Sequence, residues 1–91
     1  MIIHYSGRFL KSLHKLQKSN PSTLKKIGKS IKYFSQNPNH PSLKLHKLGG
    51  NLKDYYSFSA SSNIRIIFTW KDEDTILLYK IGTHDEVYLN N

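Results

Sequence analysis

No cysteine occurs among the 91 residues of this chain. A disulfide scaffold and a thiolate metal site are therefore excluded, and a reducing cytoplasm suits the composition. Acidic residues are scarce as well: 6 Asp+Glu stand against 14 Lys+Arg, a formal net charge of +8. That imbalance points to an anionic partner, although charge alone serves equally well as a solubilising surface. No apolar run approaches the roughly 18 residues of a membrane-crossing helix. No secretory pattern opens the sequence. A membrane is thus the weakest of the anionic partners, and nucleic acid or an acidic protein remains. No phosphate-cradling glycine-rich loop, triad-type nucleophile or paired-carboxylate site is visible, and His4, His14 and His40 do not form a spaced metal-ligand set. They are left as surface histidines, and no cofactor is expected.

What is present fits one domain spanning residues 1–91, with a modest core. Met1 to Tyr5 reads as a short strand, and Ser6 suits the N-cap of a following helix. Phe9, Leu13 and Leu16 recur at helical spacing, with Lys11, Lys15 and Lys18 on another face. Asn20-Pro21 is expected to cap and begin a second helix carrying Leu24, Ile27, Ile31 and Phe34 inward. Gly28 within it suggests a close helix crossing, and Asn37-Pro38 ends it. The short link between the two predicts an antiparallel hairpin.

The period then changes from helical to alternating. Leu43 and Leu45 alternate with Lys44 and His46, Tyr56 and Phe58 with Ser57 and Ser59, and Ile64, Ile66 and Phe68 with Arg65 and Ile67. Thr75 to Ile81 is nearly all apolar, as in a central strand. The expected fold is α+β: an N-terminal strand, a two-helix hairpin, then a twisted three- to four-stranded antiparallel sheet with both helices on one face. The opposite face is expected to lack a second layer.

Register follows from the alternation, because a one-residue slip turns the core outward. A loop at Ser61-Ser62-Asn63, with Asn63 left-handed, pairs Ser59 with Arg65. A loop at Lys71 to Asp74 pairs Trp70 with Thr75, Phe68 with Leu77 and Arg65 with Lys80. If the last strand runs on past Gly82, then Lys80, His84, Glu86 and Tyr88 share a face. The open surface would carry Lys44, His46, Arg65, Lys80, His84 and Tyr88, with Ile67 and Leu78 on the same side.

Four segments then resemble one known family. They are His40-Pro41-Ser42-Leu43-Lys44-Leu45-His46-Lys47-Leu48, Asp54-Tyr55-Tyr56-Ser57-Phe58-Ser59, Ile64-Arg65-Ile66-Ile67-Phe68 and Ile81-Gly82-Thr83-His84-Asp85-Glu86-Val87-Tyr88. In order and spacing they are similar to the RelE/ParE superfamily of bacterial toxins from toxin–antitoxin pairs, and the ending looks most like the YafQ-type branch. The resemblance implies a ribosome-dependent endoribonuclease that cuts mRNA. It also implies a cognate antitoxin that wraps the toxin into a hetero-oligomer, the free toxin being a monomer. It matches His84 to the catalytic His of the YafQ-type toxins, Tyr88 to their terminal aromatic and Arg65 to the strand Arg of RelE. Lys44, His46 and Lys47 fall where the superfamily carries basic or His residues on an early strand. The chain departs from the YafQ pattern at residues 59–63, which hold no His or acid.

RNA can be cut without a metal when its own 2′-hydroxyl attacks the adjacent phosphate. One group must take that proton, another must protonate the leaving 5′-oxygen, and cations must hold the charge that develops. His84 is assigned as general acid and His46 as base, because imidazole exchanges protons near neutrality. Arg65 is assigned to the phosphate, its planar fork matching two oxygens. Tyr88 stacks on a base or orients the substrate, and Lys44, Lys47 and Lys80 contact RNA phosphates. The competing assignments are an ordinary surface histidine, a salt bridge from Arg65 to Asp85 or Glu86, a tyrosine capping the core, and solubilising edge lysines. The ParE branch on the same fold offers a second function, inhibition of DNA gyrase without catalysis. An inactive toxin that only binds its antitoxin is a third.

Overall fold

The computed structural model describes residues 1–88. Its elements run β1 (Ile2–Tyr5), α1 (Gly7–Ser19), α2 (Thr23–Gln36), β2 (His46–Lys47), β3 (Tyr56–Ser59), β4 (Arg65–Trp70), β5 (Thr75–Gly82) and α3 (His84–Tyr88). The strands form one sheet in the order β1-β5-β4-β3-β2. β1 joins β5 in parallel, and the other neighbours are antiparallel. β5 is therefore central to the β1 and β4 strands, in keeping with its apolar run.

Ser6 caps α1 as expected: its hydroxyl accepts the Phe9 N–H at 2.9 Å and donates to the Tyr79 carbonyl at 2.7 Å. One side chain thus fixes both the start of the helix and its seat on β5. Asn20 ends α1 rather than beginning α2: its N–H bonds the Leu16 carbonyl, and α2 starts at Thr23. The buried stripe of α2 is correspondingly rotated to Thr23, Ile27, Ser30 and Phe34, leaving Leu24 and Ile31 half-buried. Gly28 faces solvent, with nothing within 4 Å of where a Cβ would stand, so no helix crosses there.

The core lies between α1, α2 and one face of the sheet. Phe34 stacks on Phe58 with ring centroids 4.7 Å apart and meets Phe68 edge-on at 4.7 Å. Phe9, Ile66, Ile76 and Leu78 are fully buried around them. Leu78 therefore belongs to the helix-covered face, not to the open one.

The Ser61–Asn63 loop pairs Ser59 with Arg65 as the alternation required, without a left-handed Asn63. The next hairpin differs. Trp70 pairs with Ile76 and Phe68 with Leu78, whereas Ile67 pairs with Lys80 and Arg65 with Gly82. Tyr79 is an extra residue, a β-bulge that re-phases the end of β5. Leu43 to Lys44 is not strand: Pro41–Leu43 forms a 3₁₀ turn, and Lys44 takes a left-handed φ of 49°. His40 is half-buried, its ring stacked on Tyr33 at 5.0 Å.

The second face of the sheet is not bare. Past Gly82 the chain coils into α3 instead of continuing as strand, and α3 packs on β4 and β5. Val87 and Ile67 are buried there, 1% and 0% exposed. Among the described residues no helix is long and apolar enough to cross a membrane.

Candidate active site

Thr83 and Glu86 decide where the site stands. The Thr83 N–H donates to Glu86 Oε1 at 2.8 Å, and the Glu86 N–H donates to Thr83 Oγ1 at 3.3 Å. This is a reciprocal capping box, which turns the chain into a helix directly after the strand. Gly82 belongs to the same device, because a Cβ there would stand 3.0 Å from Glu86 Oε1. The Thr-x-x-Glu spacing was the sequence signal for this helix, and strand alternation masked it.

The helical turn brings His84 and Tyr88 onto one face, four residues apart. Their ring centroids are 4.4 Å apart. The Tyr88 hydroxyl donates to Ser57 Oγ at 2.7 Å, and Ser57 is fully buried on β3. His46 stands opposite Ser57 in the β2–β3 ladder, so both side chains project to the same side. His46 Nδ1 lies 3.2 Å from the Lys44 carbonyl. A carbonyl only accepts, so Nδ1 is the donor in that bond, and in the neutral ring Nε2 is the lone-pair acceptor. Arg65 is half-buried, and its guanidinium donates to the Ser59 hydroxyl opposite it.

His46, Leu48, Arg65, His84 and Tyr88 together line a cleft of about 330 Å³. Four of the residues singled out from sequence thus meet in one place, although β2, β4 and α3 supply them separately. The imidazole of His84 is open to solvent, its side chain 70% exposed, with Nδ1 3.5 Å from Asp85 Oδ1. Arg65 makes no ion pair with Asp85 or Glu86 among the described residues.

None of the three lysines assigned to RNA lines this cleft. Lys80, expected beside Arg65 on an exposed face, is 4% exposed, because the bulge at Tyr79 moves it to pair with Ile67 beneath α3. Its Nζ donates to the Val87 carbonyl at 3.2 Å. Burial, reinforced by the nearby Arg8 charge, holds its ammonium below the ordinary lysine range. Lys47 follows His46 directly on β2 and so projects to the opposite face, where it lines a different cleft with Asp54, Tyr56, Thr69 and Trp70. Lys44 is exposed and is not part of the cleft lining. Leu48 is the lining residue to which the sequence assigns no role, and Ser57 serves the cleft indirectly by anchoring Tyr88. Among the described residues no three His, Asp or Glu side chains cluster as metal ligands.

The arrangement offers two imidazoles, a guanidinium and a phenol ring around a space open to a polymer. That is a combination able to move protons on either side of a phosphate held by a cation.

The chain matches the family model described as the bacterial toxin of type II toxin–antitoxin system, YafQ, over residues 1–89. Among solved structures, a metal-bound toxin from Helicobacter pylori has a TM-score of 0.80 at 29% identity, covering 97% of this chain and 99% of that one. The YoeB-YefM complex from Staphylococcus aureus matches with a TM-score of 0.74 at 26% identity, covering 92% and 97%. YafQ from E. coli strain BL21(DE3) shares the fold, with a TM-score of 0.77 at 22% identity, covering 94% and 96%. No curated protein matches the chain in sequence.

Proposed function

The chain belongs to the YafQ family of bacterial type II toxin–antitoxin toxins, and from that premise we propose that it is an endoribonuclease that cuts mRNA at the ribosome. The observation that carries the reading is the single cleft lined by His46, Arg65, His84 and Tyr88. In the proposed reaction His46 Nε2 takes the proton from the 2′-hydroxyl, and the 2′-oxygen attacks phosphorus. The bond from phosphorus to the 5′-oxygen breaks, and His84 delivers a proton to that oxygen. The products are a 2′,3′-cyclic phosphate and a 5′-hydroxyl end.

Arg65 holds the non-bridging oxygens as negative charge accumulates. Its bond to Ser59 aims the guanidinium before substrate arrives. Tyr88 acts through its ring, because its hydroxyl is engaged by Ser57. The ring supports the His84 imidazole and offers a stacking face to a base next to the cut. Lys44, exposed two residues before His46, neutralises a neighbouring phosphate. Lys80 is buried and supports α3 from behind instead of meeting RNA.

The partners in this reading are mRNA on the ribosome and an antitoxin. The Staphylococcus aureus YoeB-YefM pair is a heterotetrameric toxin–antitoxin complex, and a similar hetero-oligomer is the resting state proposed for this chain, with the released toxin a cytoplasmic monomer. Inducing the wild-type chain and His84→Ala in a bacterial host tests the function. Collapse of translation with mRNA cut at ribosomes, abolished by the substitution, is the expected result. DNA damage with intact mRNA would instead identify a gyrase inhibitor, and harmless wild-type expression would identify an inactive toxin.

A further inference from the structure

A second cleft, of about 350 Å³, opens on the other face of the same sheet edge and is lined by Lys47, Asp54, Tyr56, Thr69 and Trp70. Its floor is aromatic. Tyr56 on β3 is half-buried and stacks on Phe68 with centroids 5.5 Å apart. Trp70 on β4 sets its edge to Phe68 at 6.0 Å and remains 36% exposed. Lys47 stands opposite Tyr56 in the β2–β3 ladder, on the same side of the sheet. The Thr69 hydroxyl donates to the Asp54 carbonyl at 2.8 Å and pins that residue to β4 at the rim. Asp54 and Lys47 are both exposed, so both charges are available to a ligand.

We propose that this cleft binds an unstacked nucleobase with its phosphate, guanine before the others, as a second RNA contact beside the catalytic cleft. The choice of RNA over another ligand rests on the reading of the chain as a ribonuclease. The space falls in the range of small-ligand sites. An exposed indole such as Trp70, beside the half-buried phenol of Tyr56, is a platform on which a single-stranded base stacks. A carboxylate accepts only, so it selects a base edge with donors, and guanine offers two adjacent N–H groups there. Lys47 supplies the cation for the phosphate. The geometry also accounts for continuity along one strand: His46 and Lys47 are successive residues on the edge strand β2 and project to opposite faces. An RNA chain folded over that edge meets both clefts.

Trp70 is the sole tryptophan of the chain, so its fluorescence reports directly on this cleft. The experiment titrates the wild-type chain with guanosine 5′-monophosphate, which has no bond to cleave, and repeats it with adenosine 5′-monophosphate, with Asp54→Asn and with Lys47→Gln. Saturable quenching by the guanosine nucleotide is expected. Asp54→Asn should weaken it about tenfold or more, the scale of a lost two-point base contact, and the adenosine nucleotide should bind correspondingly worse. Lys47→Gln should weaken binding and flatten its salt dependence. Absent quenching, or quenching that neither substitution alters, overturns the proposal, as does a spectral change produced only by a protein partner. The readout needs no catalysis. RNA cleavage without nucleotide quenching would therefore sink this inference alone, and quenching by a chain unable to cleave RNA would sink only the enzymatic reading.

Discussion

The phenol of Tyr88 and the hydroxyl of Ser57, 31 residues apart in the chain, meet at 2.7 Å inside the sheet face. That bond fastens the last turn of α3 to β3, the strand beside His46, and so couples two walls of the cleft. Ser57→Ala should cost about 0.5–1.5 kcal/mol, the ordinary worth of such a bond, with more if the phenol is left unsatisfied. A double-mutant cycle with Tyr88→Phe, read by urea unfolding, should show that the two changes are not additive. Additive costs would mean that the two hydroxyls do not act together.

Glu86 closes the capping box at the start of α3. Glu86→Ala should lose about 0.5–2 kcal/mol, as for other cap deletions. It should also lower RNA cleavage, because α3 carries both His84 and Tyr88. Glu86→Gln keeps an acceptor for the Thr83 N–H and should restore most of both. Chemical denaturation together with a single-turnover cleavage assay separates these outcomes; equal activity in all three proteins would detach the box from the site.

Gly28 sits on the exposed side of α2 with open space where a side chain would be. Gly28→Ala should therefore stabilise the protein by about 0.5–1 kcal/mol through helix propensity and a less flexible unfolded chain. In a domain of this size that corresponds to a rise of several degrees in Tm. A fall in Tm would reveal a close contact that the fold does not contain.

Lys80 gives a pH signature. Burial lowers its folded pKa beneath the ordinary value of 10.5, so between the two values the unfolded chain holds a proton that the folded chain has released. Stability contributed by this group must then rise with pH across that window, and its penalty is complete below it. Lys80→Met removes the effect. The difference in unfolding free energy between the two proteins, followed over alkaline pH, should shift in favour of the wild type as pH climbs towards 10.5. Parallel profiles would show that the ammonium is not held from water.

Particular residues show how far the sequence spoke. Ser59 opposite Arg65 was legible, because alternation on both strands and a short polar loop leave one register. The Lys80 pairing was not: Ile76 to Tyr79 puts apolar or aromatic side chains on both faces, so no alternation fixes the phase, and the bulge at Tyr79 slips in unannounced. The convergence of His84 and Tyr88 was anticipated for the wrong reason. Positions four apart share a face in a helix and in a strand alike, and only the Thr83–Glu86 box distinguishes the two. Leu43 and Leu45 alternate too briefly to make a strand against the turn set by His40 and Pro41, so Lys44 lies outside β2. The family resemblance groups Lys47 with His46 on one early strand, whereas alternation along that strand separates them across the sheet.

The central claim is that His84 donates the proton to the departing 5′-oxygen. An RNA whose scissile 5′-oxygen is replaced by sulfur tests it most directly, because a thiolate leaves without being protonated. His84→Ala should cut ordinary RNA about 10²–10⁴ times more slowly than the wild type and should cut the sulfur-substituted RNA at nearly the wild-type rate. An equal loss on both substrates would contradict the account.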